Sequence, residues 1–133
     1  EICLPPPQRN PMSTNLPVLQ KTLEAYKLWH VFHNSFPRLS KFSLGSKIDS
    51  LFTDVIENIY LAGYANGENK GGFIMRAATK LDLLKFFLQT AWEVKCLDNK
   101  KYMAISTPLS EAGKMIGGWQ KQLQTKQSTP FIR

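Results

Sequence analysis

The stretch AATKLDLLKFFLQTA, residues 77–91, decides the fold of this chain. Its apolar residues recur at intervals of four, three, four and three positions, which is the period of one helix face packed against other helices. That face carries Ala77, Leu81, Leu84, Leu88 and Ala91. The stretch therefore predicts a long amphipathic helix, from about Gly71 to Cys96, with one side buried in a helical bundle.

Three other segments show the same helical period, and no segment alternates apolar and polar residues strictly enough to indicate a strand. The predicted helices run from about Asn15, as N-cap, to His33, from about Ser40 to Ala65, and from Asp98, as a capping residue, to about Leu123. Short connections between four long helices favour antiparallel neighbours. The predicted class is all-α, an up-down-up-down four-helix bundle.

Glycine and proline mark the expected interruptions. Asn66-Gly67 is predicted to stop the second helix, and Gly63, Gly67, Gly71 and Gly72 are interpreted as breakers around the following turn. Pro108 lies within the fourth helical pattern, where a missing N–H and a ring clash are expected to kink or locally break the helix.

The bundle is predicted to occupy residues 15–124. Residues 1–14 include EICLPPPQRNP and are interpreted as a flexible arm, a cloning remnant or an upstream in-frame extension, and residues 125–133 as a mobile tail. The first eleven residues lack the basic start and apolar run of a signal peptide, and no apolar run is long enough for a transmembrane helix. Cys3 and Cys96 fit no metal or redox spacing, so a reducing cytoplasm is expected.

The segment GKMIGGW, residues 113–119, places three glycines beside a tryptophan in the fourth helix. Each glycine costs about 1 kcal/mol relative to alanine in a helix interior. Such residues are retained where another backbone approaches closely. Gly113, Gly117, Gly118 and Trp119 are therefore predicted to serve helix or subunit packing.

Several apolar residues lie outside the principal stripes of the first three helices. They are Leu28, Val31, Phe52, Ile56, Phe73, Phe86 and Phe87. They can widen the core, or they can cover a subunit interface. We expect that they cover a subunit interface, and therefore that the protein is a homo-oligomer.

The charge balance is basic, with 17 Lys and Arg against 10 Asp and Glu, a net charge of +7. An anionic partner is expected, nucleic acid before a membrane surface, although a basic surface can also serve solubility alone. The candidate RNA-binding residues are Arg38, Lys41, Lys47, Lys70, Arg76, Lys80, Lys85, Lys114 and Lys121. We expect them to bind phosphates, so that the affinity for RNA falls as the salt concentration rises. No motif for base-specific recognition accompanies them, so the affinity is expected to depend little on the RNA sequence.

The chain offers little for catalysis. His30 and His33 are close in sequence, but a metal site in a bundle needs further ligands facing the same layer, so both are interpreted as core or boundary histidines. Asp54 and Glu57 are interpreted as a solvated face, and with Asp49 they form no acid–base constellation. We predict no catalytic residue, no metal and no cofactor.

The motifs taken together resemble a family of bacterial four-helix-bundle proteins. It includes the accessory variability determinant of diversity-generating retroelements and proteins encoded in intervening sequences of 23S ribosomal RNA genes. The resemblance covers about Leu16 to Leu123. It is carried by FPR at 36–38 with FSLGSKI at 42–48, by KLDLLK at 80–85, and by EAGKMIGGW at 111–119, the last being typical of the retroelement branch.

The resemblance implies a homopentameric barrel without catalytic activity. It implies binding to the retroelement's reverse transcriptase and structured template RNA, and contact with cDNA or DNA, in support of mutagenic cDNA synthesis. Arg76, Lys80, Lys85 and Lys114 are the first candidates for RNA contact. The alternatives are a 23S intervening-sequence protein, a helical protein-interaction module that binds no RNA, and a metal-dependent bundle enzyme, for which ligands are lacking.

Overall fold

The computed structural model describes residues 16–128, with the side chains of residues 16–124. This part of the chain is all helical and contains no strand. The helices are α1 (Pro17–His33), α2 (Arg38–Lys41), α3 (Leu44–Tyr64), α4 (Gly67–Glu93) and α5 (Asn99–Ser128). The predicted amino-terminal arm and residues 129–133 lie outside the described residues.

The four long helices form a ring in which each packs against two neighbours. α1 contacts α3 and α5, and α4 contacts the same two helices from the opposite corner. Two residues separate α3 from α4, and five separate α4 from α5, so that successive long helices must run antiparallel. The all-helical four-helix bundle predicted from the sequence is confirmed.

The core contains the stripes that the sequence predicted. Each residue of the seam in α4, from Ala77 to Ala91, is at most 2% exposed. The matching stripe of α5 is buried at Ile105, Leu109, Ala112 and Ile116, and all five residues of the α3 stripe are buried. Those of α3 are Ile48, Leu51, Val55, Ile59 and Ala62. Trp29 of α1 is the largest fully buried side chain.

Hydrogen bonds to Asp49 join α1 to α3 beside this core. The Tyr26 hydroxyl and the Trp29 indole N–H both donate to Asp49 Oδ1, at 3.2 and 3.1 Å. Burial, followed by the charge of Asp49, raises the pKa of the Tyr26 hydroxyl, so the neutral donor form is favoured. Asp49 therefore has a structural role that its position in the sequence did not disclose.

The helix boundaries differ from the predictions at several points. The N-cap of α1 is Leu16, without a side-chain cap, and Asn15 lies outside the described residues. The second predicted helix is divided into α2 and α3, because the chain turns at Phe42-Ser43. α4 already begins at Gly67, whose φ of 62° suits glycine. Of the glycines interpreted as breakers, only Gly67 borders the turn, and the others lie inside α3 or α4.

α5 is continuous from Asn99 to Ser128, so the local break expected at Pro108 does not occur. Proline removes only one helical hydrogen bond, and Pro108 is buried against the core, whose packing holds the helix on both sides. The helix also extends beyond the predicted end near Leu123, into the segment interpreted as a tail. The predicted cap is confirmed, because Asp98 Oδ1 accepts the Lys101 backbone N–H at 2.8 Å.

The carboxyl end of α4 has a left-handed residue that is not glycine. Lys95 has a φ of 70°, and its N–H donates to Trp92 O at 3.1 Å, while Cys96 N–H donates to Ala91 O at 2.8 Å. This pair of bonds is the Schellman arrangement, which satisfies the last carbonyls of a helix and usually places glycine at the left-handed position.

We expect Lys95→Gly to raise the free energy of unfolding by about 1 kcal/mol, because glycine adopts a left-handed conformation without a Cβ clash. The control is Lys27→Gly in the exposed middle of α1, which should lose about 0.5–1 kcal/mol. Urea unfolding of both variants measures the difference. A Lys95→Gly variant that is less stable than the native chain would contradict the assignment.

Candidate nucleic-acid interface

The predicted RNA-binding residues lie on separate surfaces of the bundle. One surface is the edge between α3 and α4, a second is the groove between α4 and α5, and a third is the end that carries α2. In that order the surfaces contain Arg76 and Lys80, then Lys85 and Lys114, then Arg38, Lys41 and Lys47. Lys70 and Lys121 lie towards the other end, on α4 and α5.

The cations of the α3–α4 edge have partners within the chain. Lys80 Nζ lies 3.5 Å from Asp54 Oδ2. Arg76 Nε donates to Asn58 Oδ1 at 3.4 Å, and its guanidinium lies 4.8 Å from the centre of the Phe73 ring. Binding a phosphate here would require these side chains to leave their partners, so this edge is a weaker candidate than the sequence suggested.

The α4–α5 groove is a depression with a floor of small side chains. Its central part has a volume of about 430 Å³. Gly113 and Gly117 lie along it, and Lys85 Nζ covers Gly113 so closely that a Cβ on Gly113 would be 2.9 Å from it. The other lining residues are Ala78, Leu81, Asp82, Lys85, Ser110, Lys114, Ile116 and Gln120.

The groove continues in both directions along the seam of α4 and α5. Towards the start of α5 a further depression of about 370 Å³ shares Asp82, Lys85 and Ser110 with the central part. Towards the start of α4 another of about 290 Å³ shares Gln120. The continuous path is long compared with one small-molecule site and suits an extended ligand.

Lys85 and Lys114 are the charges that this groove offers to an anion. Neither forms an ion pair with another residue among residues 16–124. Glu111, the acidic residue nearest to Lys114 in sequence, instead binds Lys21 of α1, with 2.9 Å between Oε1 and Nζ. Asp82 also lines the groove and lowers its positive potential. Two unpaired ammonium groups on facing helices suit phosphates along a backbone.

The residues predicted to serve packing differ in their surroundings. Only Gly113 among the three glycines has a close intrachain neighbour, because no described atom lies within 4 Å of a Cβ built on Gly117 or Gly118. Trp119 packs partly against the core, and Lys70 Nζ lies 5.4 Å from the centre of its ring. Close packing within the chain therefore explains Gly113 but not Gly117 or Gly118.

Most of the apolar residues outside the predicted stripes belong to the core. Phe52 is fully buried, and Val31 and Phe86 are exposed. The others are half-buried against the core, namely Leu28, Ile56, Phe73 and Phe87. The interpretation that they widen the core therefore accounts for five of the seven, and two remain for a contact with another molecule.

His33 belongs to an aromatic cluster at the end of α1. Its ring stacks on Trp29, with 4.7 Å between ring centres, and Nε2 lies 3.1 Å from the carbonyl oxygen of Lys41. His30 is exposed. Residues 16–124 contain no group of three or more His, Cys, Asp or Glu side chains arranged to hold a metal ion.

Sequence reasoning did not select three lysines that share an end of the bundle with Arg38 and Lys41. Lys95 lies in the turn after α4, and Lys100 and Lys101 lie at the start of α5. In an up-down-up-down bundle this turn and the α2 segment meet at the same end, so topology was the signal that could have grouped them.

No helix in residues 16–128 has an apolar stretch of membrane-spanning length.

Comparison with known proteins gives one family and one fold. A family model described as bAvd-like matches residues 17–123. A crystal structure of a protein of unknown function from the S23 ribosomal protein family of Bacteroides thetaiotaomicron superposes with a TM-score of 0.69. That protein is 17% identical, and the superposition covers 78% of this chain and 98% of that one. The search of curated proteins gives no match.

Gly45 has close surroundings, and it provides a test of the aromatic cluster. A Cβ on Gly45 would overlap the His33 ring, so we expect Gly45→Ala to lower the free energy of unfolding by about 1–3 kcal/mol. The control is Gly72→Ala inside α4, which should gain up to about 1 kcal/mol, because a Cβ there would lie no closer than 3.9 Å to the Arg76 guanidinium. Thermal unfolding of both variants should give opposite shifts, and equal shifts would contradict this difference.

Proposed function

Because the chain belongs to the bAvd-like family, we propose that it is a non-catalytic accessory protein of a diversity-generating retroelement. In this role it binds the retroelement's reverse transcriptase and structured template RNA in the cytoplasm and supports mutagenic cDNA synthesis. The observation that carries the proposal is the family match, which spans the whole bundle from α1 to α5.

The α4–α5 groove is the proposed RNA-binding surface. Lys85 and Lys114 reach it from two helices without an acidic partner, so their ammonium groups can bind the phosphates of an RNA backbone, and Gly113 adds no side chain to its floor. Contacts of this kind position RNA without reading its bases. Specificity for the template then comes from the shape of the RNA and from the polymerase, which matches the absence of base-reading motifs in the sequence.

Self-assembly is the second element of the proposal, as a homopentamer. The open positions Gly117 and Gly118 lie on the exposed side of α5, next to the partly exposed Met115. A neighbouring subunit can approach the helix backbone closely there, which explains why two poor helix formers occur side by side. Five copies would bring five basic surfaces to one RNA molecule, and such avidity raises affinity without any new contact.

Crosslinking in the native host tests the proposed function. The protein is crosslinked to RNA in cells, purified under denaturing conditions, and the bound RNA is sequenced. Enrichment of a retroelement template transcript, with the reverse transcriptase recovered in a parallel native purification, supports the proposal. Enrichment of ribosomal RNA would favour a 23S intervening-sequence protein. No enrichment above a protein of equal charge would favour a protein-interaction module.

Charge reversal in the groove should weaken RNA binding. We expect Lys85→Glu and Lys114→Glu, made separately, each to lower the affinity for template RNA about tenfold and to reduce the slope of log affinity against log salt by about one. Lys27→Glu on the exposed face of α1 is the charge-matched control. Fluorescence anisotropy at several salt concentrations gives both values, and an equal loss in the control would remove the groove from the proposal.

Gly117→Leu should break assembly without unfolding the subunit. No described atom of the chain would contact the new side chain closely at Cβ, so we expect the melting temperature of the subunit to be maintained. The mass in native mass spectrometry should fall below that of the native assembly, because a leucine overpacks a close interface. Lys27→Leu serves as the control for added surface hydrophobicity. If the Gly117→Leu variant has the same assembly mass as the native protein, a close subunit contact at this position is contradicted.

A further inference from the structure

The end of the bundle that carries α2 has an unusual excess of positive charge. From Phe32 to Ile48 the chain contains no Asp or Glu. The cations at this end are Arg38, Lys41, Lys47, Lys95, Lys100 and Lys101. Three acidic residues lie near this end. Asp98 caps α5, Asp49 accepts two hydrogen bonds beside the core, and the third is Glu93. We call this surface the α2 end.

Contacts among the helices place these cations at one end of the bundle. Lys101 Nζ of α5 lies 5.5 Å from the centre of the Phe32 ring of α1. Lys47 Nζ of α3 lies 6.0 Å from the centre of the Phe87 ring of α4. The Lys41 carbonyl is bound by His33 at the end of α1. The α2 end is therefore assembled from all four long helices, although its lysines are distant in sequence.

Two large apolar side chains are exposed in the α2 segment, next in sequence to Arg38 and Lys41. Leu39 is 90% exposed and Phe42 is 74% exposed. The backbone that carries them is held in place, because Lys41 N–H donates to Pro37 O at 2.8 Å and the Ser43 hydroxyl donates to Leu39 O at 3.1 Å. The Phe42 ring is thus displayed by a hydrogen-bonded turn and is accessible to a ligand.

An exposed ring at an end of the bundle that is rich in cations suits a single-stranded nucleic acid better than other anionic partners. Each base presents a flat face that stacks on an aromatic side chain, while the adjacent phosphates bind lysine and arginine. A duplex offers the phosphates but keeps its bases stacked on one another, so the ring would find no partner. The cations and the ring can therefore both contact the nucleic acid only when the bound strand is unpaired.

We infer that the α2 end binds a single-stranded segment of RNA, with one base stacked on Phe42 and its neighbouring phosphates held by Arg38, Lys41 and the lysines around them. This site rests on the proposed RNA binding and adds to it the form of the RNA and the mode of contact. It is separate from the α4–α5 groove, which receives the backbone alone.

The test compares a 12-nucleotide oligouridine with a 12-base-pair RNA duplex, using the full chain. Phe42→Ala should lower the affinity for oligouridine about tenfold and change the affinity for the duplex less than twofold, because only an unpaired base stacks on the ring. Phe42→Trp should retain oligouridine binding, since any aromatic ring can stack. Tyr64→Ala, which removes an exposed ring at the opposite end, should leave both affinities unchanged.

The outcomes separate this inference from the proposed function. If the native chain binds oligouridine and Phe42→Ala binds it equally well, the inference fails and the proposed function stands. Equal losses for oligouridine and duplex would also overturn stacking on Phe42. If the native chain binds neither RNA, both proposals fail. Native mass spectrometry of Phe42→Ala completes the test, because a loss of assembly would place the ring in a subunit contact and overturn the inference.

Discussion

The burial of one apolar stripe from each of four long helices is the interaction on which the rest of the molecule depends. The seam of α4 supplies alanine at both ends and leucine between them, so that neighbouring helices can approach closely and interlock. Because short connections allow only antiparallel neighbours, this burial also determines which helices are adjacent. Every surface described above follows from that adjacency, since each is formed by two or more helices that the core has brought together.

The same burial separates charges that are close in sequence. Lys80 and Lys85 lie five positions apart on α4, which is about 140° around a helix at 3.6 residues per turn. Lys80 therefore reaches Asp54 on α3, whereas Lys85 lies over Gly113 on α5. Conversely, Lys85 and Lys114 are distant in sequence and line one groove. Helix geometry thus places the lysines of this chain on different surfaces, where they have different partners.

An aromatic and polar cluster connects the core to the α2 end. Trp29 packs in the core, donates to Asp49, and stacks on His33, which in turn closes over Gly45 and binds the Lys41 carbonyl. This chain of contacts runs from the buried interior to a surface turn. It holds α2 in a defined position, and so it determines where Leu39 and Phe42 are displayed to solvent.

The sequence by itself determined the helical class, the long helices and their buried faces, because a period of 3.6 residues requires one face of each helix to leave water. It also determined the basic character of the protein, since net charge does not depend on the fold. Only the tertiary structure decided which lysines share a surface, which glycine is packed and which is open, and that Pro108 leaves α5 continuous. These outcomes depend on contacts between residues that are distant in the chain, and a local pattern holds no information about a neighbour on another helix.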